Sequence, residues 1–420
     1  MKKLLALLLS LAMVLSLAAC GSADNKTTTA APAASTTAAP AETTKAGTDY
    51  SKIKIGFIFL HDPASSTYDN NFYQAALNVQ KELGLTNDQM IFKWNIEEGP
   101  ACQDTAEEMA EAGCTIVIAD SFGHESYMIE AAKNFPNVQF CHATGTQALQ
   151  VKLDNYHNAF ASIYEGRFLA GVAAGMKLNQ MIADGKITAD QAKIGYVGAW
   201  PYAEVYSGFT SFFLGARYIC PSATMEVTFT NSWFDIAKEK EGALALINDN
   251  CVLISQHADS EGAPKACEEK GVPNVAYNVS TINLGPTTAL ISSKINWEPY
   301  YKLVIDAVVK GEKFATDWCG TIATGSVQLT ELNTAAAAPG TQEKINEVMN
   351  LITSGKLQVF DTSTWTVGGK TLTEYLADVD GDFTGETNVI LNGAFIESGE
   401  QFRSAPYFDI LIDGITKYGE

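Results

Sequence analysis

The sequence predicts an α/β fold built on parallel sheets, and three observations lead there. Short apolar, β-branched runs such as Thr115-Ile-Val-Ile-Ala119 recur along the chain, as strands covered on both faces do. Each is followed by a loop and then a segment with helical spacing. These strand, loop and helix units form two similar series with short connections, the pattern of parallel strands joined by right-handed crossovers.

In the first series, Lys52 to Leu60 is a strand with Ile53, Ile55, Phe57 and Phe59 alternating. Pro63 blocks its continuation, and Tyr68 to Leu83 is a helix stopping near Gly84. Met90 to Asn95, Thr115 to Ala119 and Val138 to His142 are strands; Ala101 to Ala112 and Glu125 to Lys133 are helices. The polar stretch Asp154-Asn-Tyr-His-Asn158 reads as a crossing between lobes. Tyr164 to Leu178 is a helix whose small residues (Gly166, Ala170, Gly171, Ala174, Gly175) read as close helix packing. The second series has strands at Lys193–Gly198, Met225–Thr230, Val252–Ser255 and Val275–Tyr277. Its helices are Tyr202–Tyr218, Asp235–Asn248 and Ser260–Lys270. Leu290 to Ile295 reads as a return to the first lobe and Trp297 to Val309 as a helix there. Later, Val327–Leu329 is a strand and Thr341–Ser354 a helix closed by Gly355. Leu357–Phe360 and Val389–Leu391 read as short strands. The expected organisation is a first lobe of residues 50–158 plus 295–325, a second of 159–294, and a segment 326–420 completing the second.

Residues 1–19 stand apart. Lys2 and Lys3 precede an apolar run from Leu4 to Leu17, shorter than the roughly 20 residues that span a bilayer. The run ends in Leu17-Ala-Ala-Cys20, which resembles the lipobox of bacterial lipoproteins. Cleavage before Cys20 and diacylation of its thiol are expected, two chains being enough to hold a protein at a membrane. Residues 20–49, rich in Ala, Thr, Ser and Pro, cannot bury enough apolar area to order themselves and read as a tether.

Composition sets limits. A formal charge of −20 argues against nucleic acid or anionic lipid as a partner. Beyond Cys20, the remaining seven of the 8 cysteines cannot all pair and show no C-x-x-C spacing, so they read mostly as free core thiols. The run Asp378-Val-Asp-Gly-Asp382 hints at calcium. It lacks the glutamate and flanking helices of an EF-hand, and no metal or cofactor is expected.

In an open α/β sheet, ligands bind beyond the carboxyl ends of the strands. The loops there offer Tyr68, Asn70, Ser121, Phe122 and Gly123 from the first series and Trp200, Trp233, Asp259 and Asn278 from the second. Aromatic faces suit a flat heterocycle, stacking one base being worth roughly 1–3 kcal/mol. Asp259 and Asn278 can read ring nitrogens, amines or hydroxyls. Asp235 and Ser260 read instead as helix caps.

Residues 52–330 resemble the basic membrane protein family of bacterial lipoproteins, the purine-nucleoside receptors of ABC transporters. The resemblance rests on Ala119-Asp-Ser-Phe-Gly123, Asn134-Phe-Pro-Asn-Val138 through His142-Ala-Thr-Gly145, Tyr164-Glu-Gly-Arg-Phe-Leu-Ala-Gly171 and Lys193-Ile-Gly-Tyr-Val-Gly198. It continues through Leu214-Gly-Ala-Arg217, Asn231-Ser-Trp-Phe-Asp235, Gln256-His-Ala-Asp-Ser260 and Trp297-Glu-Pro-Tyr-Tyr301. It implies a type I periplasmic-binding-protein fold, two doubly wound parallel-sheet lobes joined by a hinge of three crossings. It also implies closure on a purine base or nucleoside, and delivery by a monomer to an ABC permease. The likeness is greatest to the branch linked to free bases. That branch usually carries Gly-Trp-Thr-Tyr-Ala-His in the first loop, where Ser65-Ser-Thr-Tyr-Asp-Asn70 stands here. Its tryptophan is Ser66 and its histidine Asn70. The nucleoside branch uses an aspartate and a lysine where Asn278 and, roughly, Asn296 stand.

A nucleoside hydrolase is the rival class and a ligand-sensing surface receptor another. None of the five histidines sits in H-E-x-x-H or beside a Gly-x-Ser-x-Gly elbow, no P-loop occurs, and His61-Asp-Pro63 alone is not a calcium cluster. A binding protein without catalysis is expected.

Overall fold

The computed structural model describes residues 48–398 and 402–420; the leader, Cys20 and most of the tether lie outside them. Two sheets organise the chain. The first contains β1 (Ile55–Ile58), β2 (Met90–Lys93), β3 (Ile116–Ala119), β4 (Gln139–Ala143) and β5 (Tyr156–Ala161). The second contains β6 (Lys193–Gly198), β7 (Thr224–Phe229), β8 (Leu253–Gln256), β9 (Asn274–Tyr277) and β10 (Ala289–Ile295). Then β11 (Asp317–Gly320) joins the edge of the first sheet beside β5, and β12 (Val327–Leu329) pairs antiparallel with β10. The orders are β11-β5-β4-β3-β1-β2 and β12-β10-β9-β8-β6-β7-β17, where β17 is Ile415–Lys417. All ladders in both sheets except β10–β12 are parallel. The chain passes between sheets after β5, β10 and β11.

The helices are α1 (Thr67–Leu83), α2 (Pro100–Glu111), α3 (Glu125–Asn134), the single turn α4 (Ala148–Val151), α5 (Ile163–Ala183), α6 (Ala203–Ile219), α7 (Ile236–Asn248), α8 (Gly262–Lys270), α9 (Glu298–Lys310) and α10 (Thr341–Thr353). Strands β1 and β3 are buried at every residue, which is why they read as unbroken apolar runs. The small residues of α5 serve packing. A Cβ on Gly171 would collide with the Phe212 carbonyl, and one on Gly215 of α6 with the Phe168 carbonyl. All seven described cysteines are free, six of them buried. Burial pushes the Cys141 thiol up to about 12.

Three local readings are corrected. Asp154–Asn158 is not a crossing; from Tyr156 it is β5, inside the first sheet. Its polar residues are satisfied in place: His157 meets the Ala315 carbonyl and the Gln139 side chain, and Asn155 donates to three carbonyls at the end of α3 and the turn before β4. Residues 290–295 remain in the second sheet as part of β10, and the chain leaves only afterwards. Leu357–Phe360 forms no strand, although Val359 and Phe360 are buried in the second lobe's core.

Beyond α10, two small hairpins pair β13 (Leu376–Ala377) with β14 (Thr387–Asn388) and β15 (Ile390–Leu391) with β16 (Ala394–Phe395). Asp378 and Asp382 spend carboxylate oxygens on the amides of Gly381 and Thr384, so this acidic loop is held by its own backbone.

Candidate functional site

The carboxyl ends of the two sheets meet at a narrow cavity lined from both lobes, the place where ligands bind in open α/β sheets. From the first lobe it is lined by Tyr68, Ser121 and Phe122, and from the second by Trp233 and Asp259. Five of the nine sequence-predicted ligand residues therefore come together. The lobes touch directly: the Thr67 amide and hydroxyl both donate to the Asp259 carbonyl at 2.9 Å.

Each aromatic loop is held from behind. The Ser121 hydroxyl and Gly123 amide donate to Glu98 Oε1 at 2.6 and 2.8 Å. His142 is kept neutral by burial, and its Nε2–H donates to the Ser121 carbonyl at 2.7 Å. Phe122 is thus presented on a fixed turn, 38% exposed. In the second lobe, Asp235 caps α7 by accepting from the amides of Ala237 and Lys238. The buried Glu239 reaches back to the Asp235 amide and accepts from the Ser260 amide at 3.0 and 3.1 Å. The Asp259 amide donates to the Trp233 carbonyl at 2.9 Å. One carboxylate therefore ties together the loops bearing Trp233 and Asp259.

The other four predicted residues have different tasks. Asn70 donates to the Pro63 carbonyl at 2.7 Å and shapes its own loop. Gly123 is needed for clearance, since a Cβ there would strike the side chain of Glu98. Trp200 stacks on Tyr202 with centroids 5.9 Å apart and lines a rim above the cavity. Asn278, at φ 69°, donates to Asp259 Oδ1 at 3.3 Å and so orients a lining carboxyl. Asn278 and Asn70 are positioning groups in this geometry, where sequence placed them against the ligand.

His61, Asp69, Glu204 and His257, which are not among the expected ligand residues, also line the cavity. His61 is the first residue after the first predicted strand, and Glu204 lies two residues beyond the Trp200-Pro-Tyr202 loop. Only the assembled fold sets His257 Nε2 3.3 Å from Glu204 Oε1. Burial, then the neighbouring Arg167, pushes His257 down to about 4, so a neutral imidazole orients Glu204. Arg167 is itself buried, its guanidinium 3.5 Å from the Tyr277 ring centroid. Burial first, then Glu239, Asp69 and Glu204, holds the Asp259 carboxyl well above the usual carboxylate range. Asp120, behind the first-lobe loop, is raised by burial and by Asp69.

Among the described residues lining the cavity there is no lysine or arginine, and three carboxyl groups (Asp69, Glu204 and Asp259) face it. Such a lining offers no cation to a phosphate or carboxylate. Its Ser121–Glu98 and His257–Glu204 contacts serve to position loops and side chains.

A purine-binding protein of Brucella abortus (strain 2308) is 32% identical over 273 residues, 64% of this chain and 73% of that protein. A putative ABC transporter glucose-binding protein of Haloferax volcanii is 28% identical over 277 residues, 66% of this chain and 63% of that protein. The solved structure of an ABC transporter solute-binding protein from Conexibacter woesei matches with a TM-score of 0.59 at 18% identity, covering 73% of this chain and 98% of that one; this likeness speaks to fold alone. A family profile described as "ABC transporter substrate-binding protein PnrA-like" matches residues 52–362. The chain therefore belongs to this family of extracytoplasmic solute-binding proteins, which bind a small molecule for an ABC permease and are not enzymes.

Proposed function

We propose that this protein is a lipid-anchored, monomeric receptor for a purine base or nucleoside, which it encloses between its lobes and hands to an ABC importer. The observation that carries the reading is that Phe122 and Trp233 line one cavity from opposite lobes, with Asp259 and Glu204 beside them. Two aromatic faces offer stacking to a flat ring, and carboxyl groups offer acceptors to its amino and ring N–H groups. A ligand touching both lobes favours the closed arrangement by its extra contacts. The purine-binding name of the Brucella relative supports the same class.

Isothermal titration with adenine, guanine, hypoxanthine and their nucleosides tests this. At least one should bind, and Trp233→Ala should weaken it by at least about tenfold, the equivalent of about 1.4 kcal/mol. Absence of heat with all of them, together with binding of a sugar or amino acid, would discard the purine reading and keep the receptor.

The anchor rests on the Leu17-Ala-Ala-Cys20 leader, and among the described residues no helix is long and apolar enough to cross a membrane. Cys20→Ser should move the protein from the membrane to the soluble fraction of its host. Continued sedimentation with membranes would refute acylation at this site.

A further inference from the structure

The family match ends at residue 362, and the residues beyond it form more than an appendage. Trp365, Ile390 and Phe408 join the second lobe's core, and β17 extends its sheet beside β7. Part of the same tail reaches the first lobe. Asp380 Oδ2 accepts from Gln150 Nε2 at 2.6 Å. Gly381, at φ 87°, lies so close to the Thr146 carbonyl that any side chain would collide with it. The Ser404 hydroxyl and amide donate to the two carboxylate oxygens of Asp317 at 2.5 and 3.0 Å, and Asn158 donates to the Ser404 hydroxyl at 3.1 Å. The tail therefore spans from one lobe to the other along one side of the cleft.

A second chamber, with an empty volume of about 1010 Å³ including the part open to solvent, adjoins the aromatic cavity and shares Phe122, Thr144, Glu204 and Trp233 with it. Its far wall is Asp378, Phe383, Arg403 and Asp409 of the tail. Arg403 is 8% exposed and poorly partnered. Among the described residues its Nε makes no hydrogen bond, Nη1 is 3.9 Å from Asp378, and Nη2 reaches only the Pro406 carbonyl at 3.5 Å. A guanidinium carries five donors, so this one has donors to spare. Phe383 is 76% exposed at φ 66°.

We propose that the tail is a third wall of the binding cleft and that Arg403 is a specificity-determining residue in it, the chamber taking a neutral, hydroxyl-rich substituent on the ring held between Phe122 and Trp233. Arg403 donates to the hydroxyl oxygens, while Asp378, Glu204 and Thr144 accept from the hydroxyl protons. A phosphate there would face Asp378, Asp409 and Glu204 against a single guanidinium, so a neutral group is favoured. The identity of the ring rests on the purine reading; the third wall does not.

Adenine and adenosine, which differ by the ribose alone, are the probes. The full chain should bind adenosine more tightly than adenine. Arg403→Met should lower the ratio of the two affinities about tenfold, and Phe383→Ala, at a largely exposed position, about threefold. Ratios that stay at the wild-type value in both variants would overturn the role of the chamber. If neither compound binds the wild type, the purine reading fails and the wall is judged without ligand, by the pair Gln150→Cys with Asp380→Cys. Mild oxidation should cross-link tail to first lobe, the oxidant taking two electrons and two protons from the thiols, seen as loss of two hydrogens in intact mass and faster mobility on a non-reducing gel. Failure to cross-link would overturn the wall itself.

Discussion

Glu239 shows how much of this cleft depends on single side chains behind it. The residue is fully buried and accepts hydrogen bonds from the Asp235 and Ser260 amides. Removing it strands two backbone donors, each unpaired buried group costing about 1–3 kcal/mol. Glu239→Ala should therefore lower stability by about 2–5 kcal/mol in urea unfolding and weaken ligand binding with it, because the loops of Trp233 and Asp259 lose their common tie. A stability loss with unchanged affinity would show that the loops hold their places without it. Asparagine makes the complementary point about reading residues from sequence. Asn70 and Asn278 look like ligand readers because they follow strands, but the nearest unsatisfied groups claim them first: the Pro63 carbonyl for one and Asp259 for the other. Sequence marks which loops face the cleft and does not show which amide groups the loops consume in folding.

At the scale of elements, α5 and α6 pack through glycines set against backbone. The blocking atoms are the carbonyls of Phe212 and Phe168, which cannot swing aside as a flexible side chain would. Gly215→Ala should cost at least about 1–3 kcal/mol, the usual price of overpacking, measured as a shift in the unfolding midpoint. Gly355→Ala, where the φ of 68° is positive but space is open, should cost only about 1 kcal/mol. A loss at Gly215 no larger than that at Gly355 would mean that the two helices move apart to admit the methyl group. Most helices and strands were legible from apolar spacing because their buried faces are continuous. The failures have a common cause. In β5, the polar residues that argued for a crossing are bonded to the elements on either side, so polarity there marks satisfied edges and not exposure. In β10, the apolar run declared a strand correctly, but nothing in its own residues says which sheet it joins; pairing with β9 and β12 decides that.

The whole molecule carries an electrostatic signature that follows from how much charge it buries. Burial pushes the Glu239 carboxyl up to about 7 and Glu397 up to about 8. A carboxyl raised by folding binds its proton more tightly in the folded chain, so its contribution is fully present below the ordinary carboxylate range, near 4.5, and is lost as pH rises through the folded value. Asp120 and Asp259, shifted in the same direction, act with the same sign. Opposing them, burial pushes His124 and His257 down to about 4. Their contribution is fully present above the ordinary histidine value of 6.5 and fades as pH falls toward 4. Between about pH 4.5 and 6.5 the two sets offset one another. Above 6.5 the histidines are spent, and the carboxyls alone drive stability downward. The melting temperature should therefore hold roughly level from pH 5 to 6.5 and then fall by several degrees by pH 8.5. The double substitution Glu239→Gln with Glu397→Gln keeps the side-chain shape and one acceptor oxygen at each position while removing the titration, so it should flatten the alkaline fall more than it changes the melting point at pH 5.5. Scanning calorimetry of both proteins across this range checks it: a wild type as stable at pH 8.5 as at 6.5 would mean that these carboxyls are not held protonated by the fold, and that the cleft they surround carries more negative charge than its burial allows.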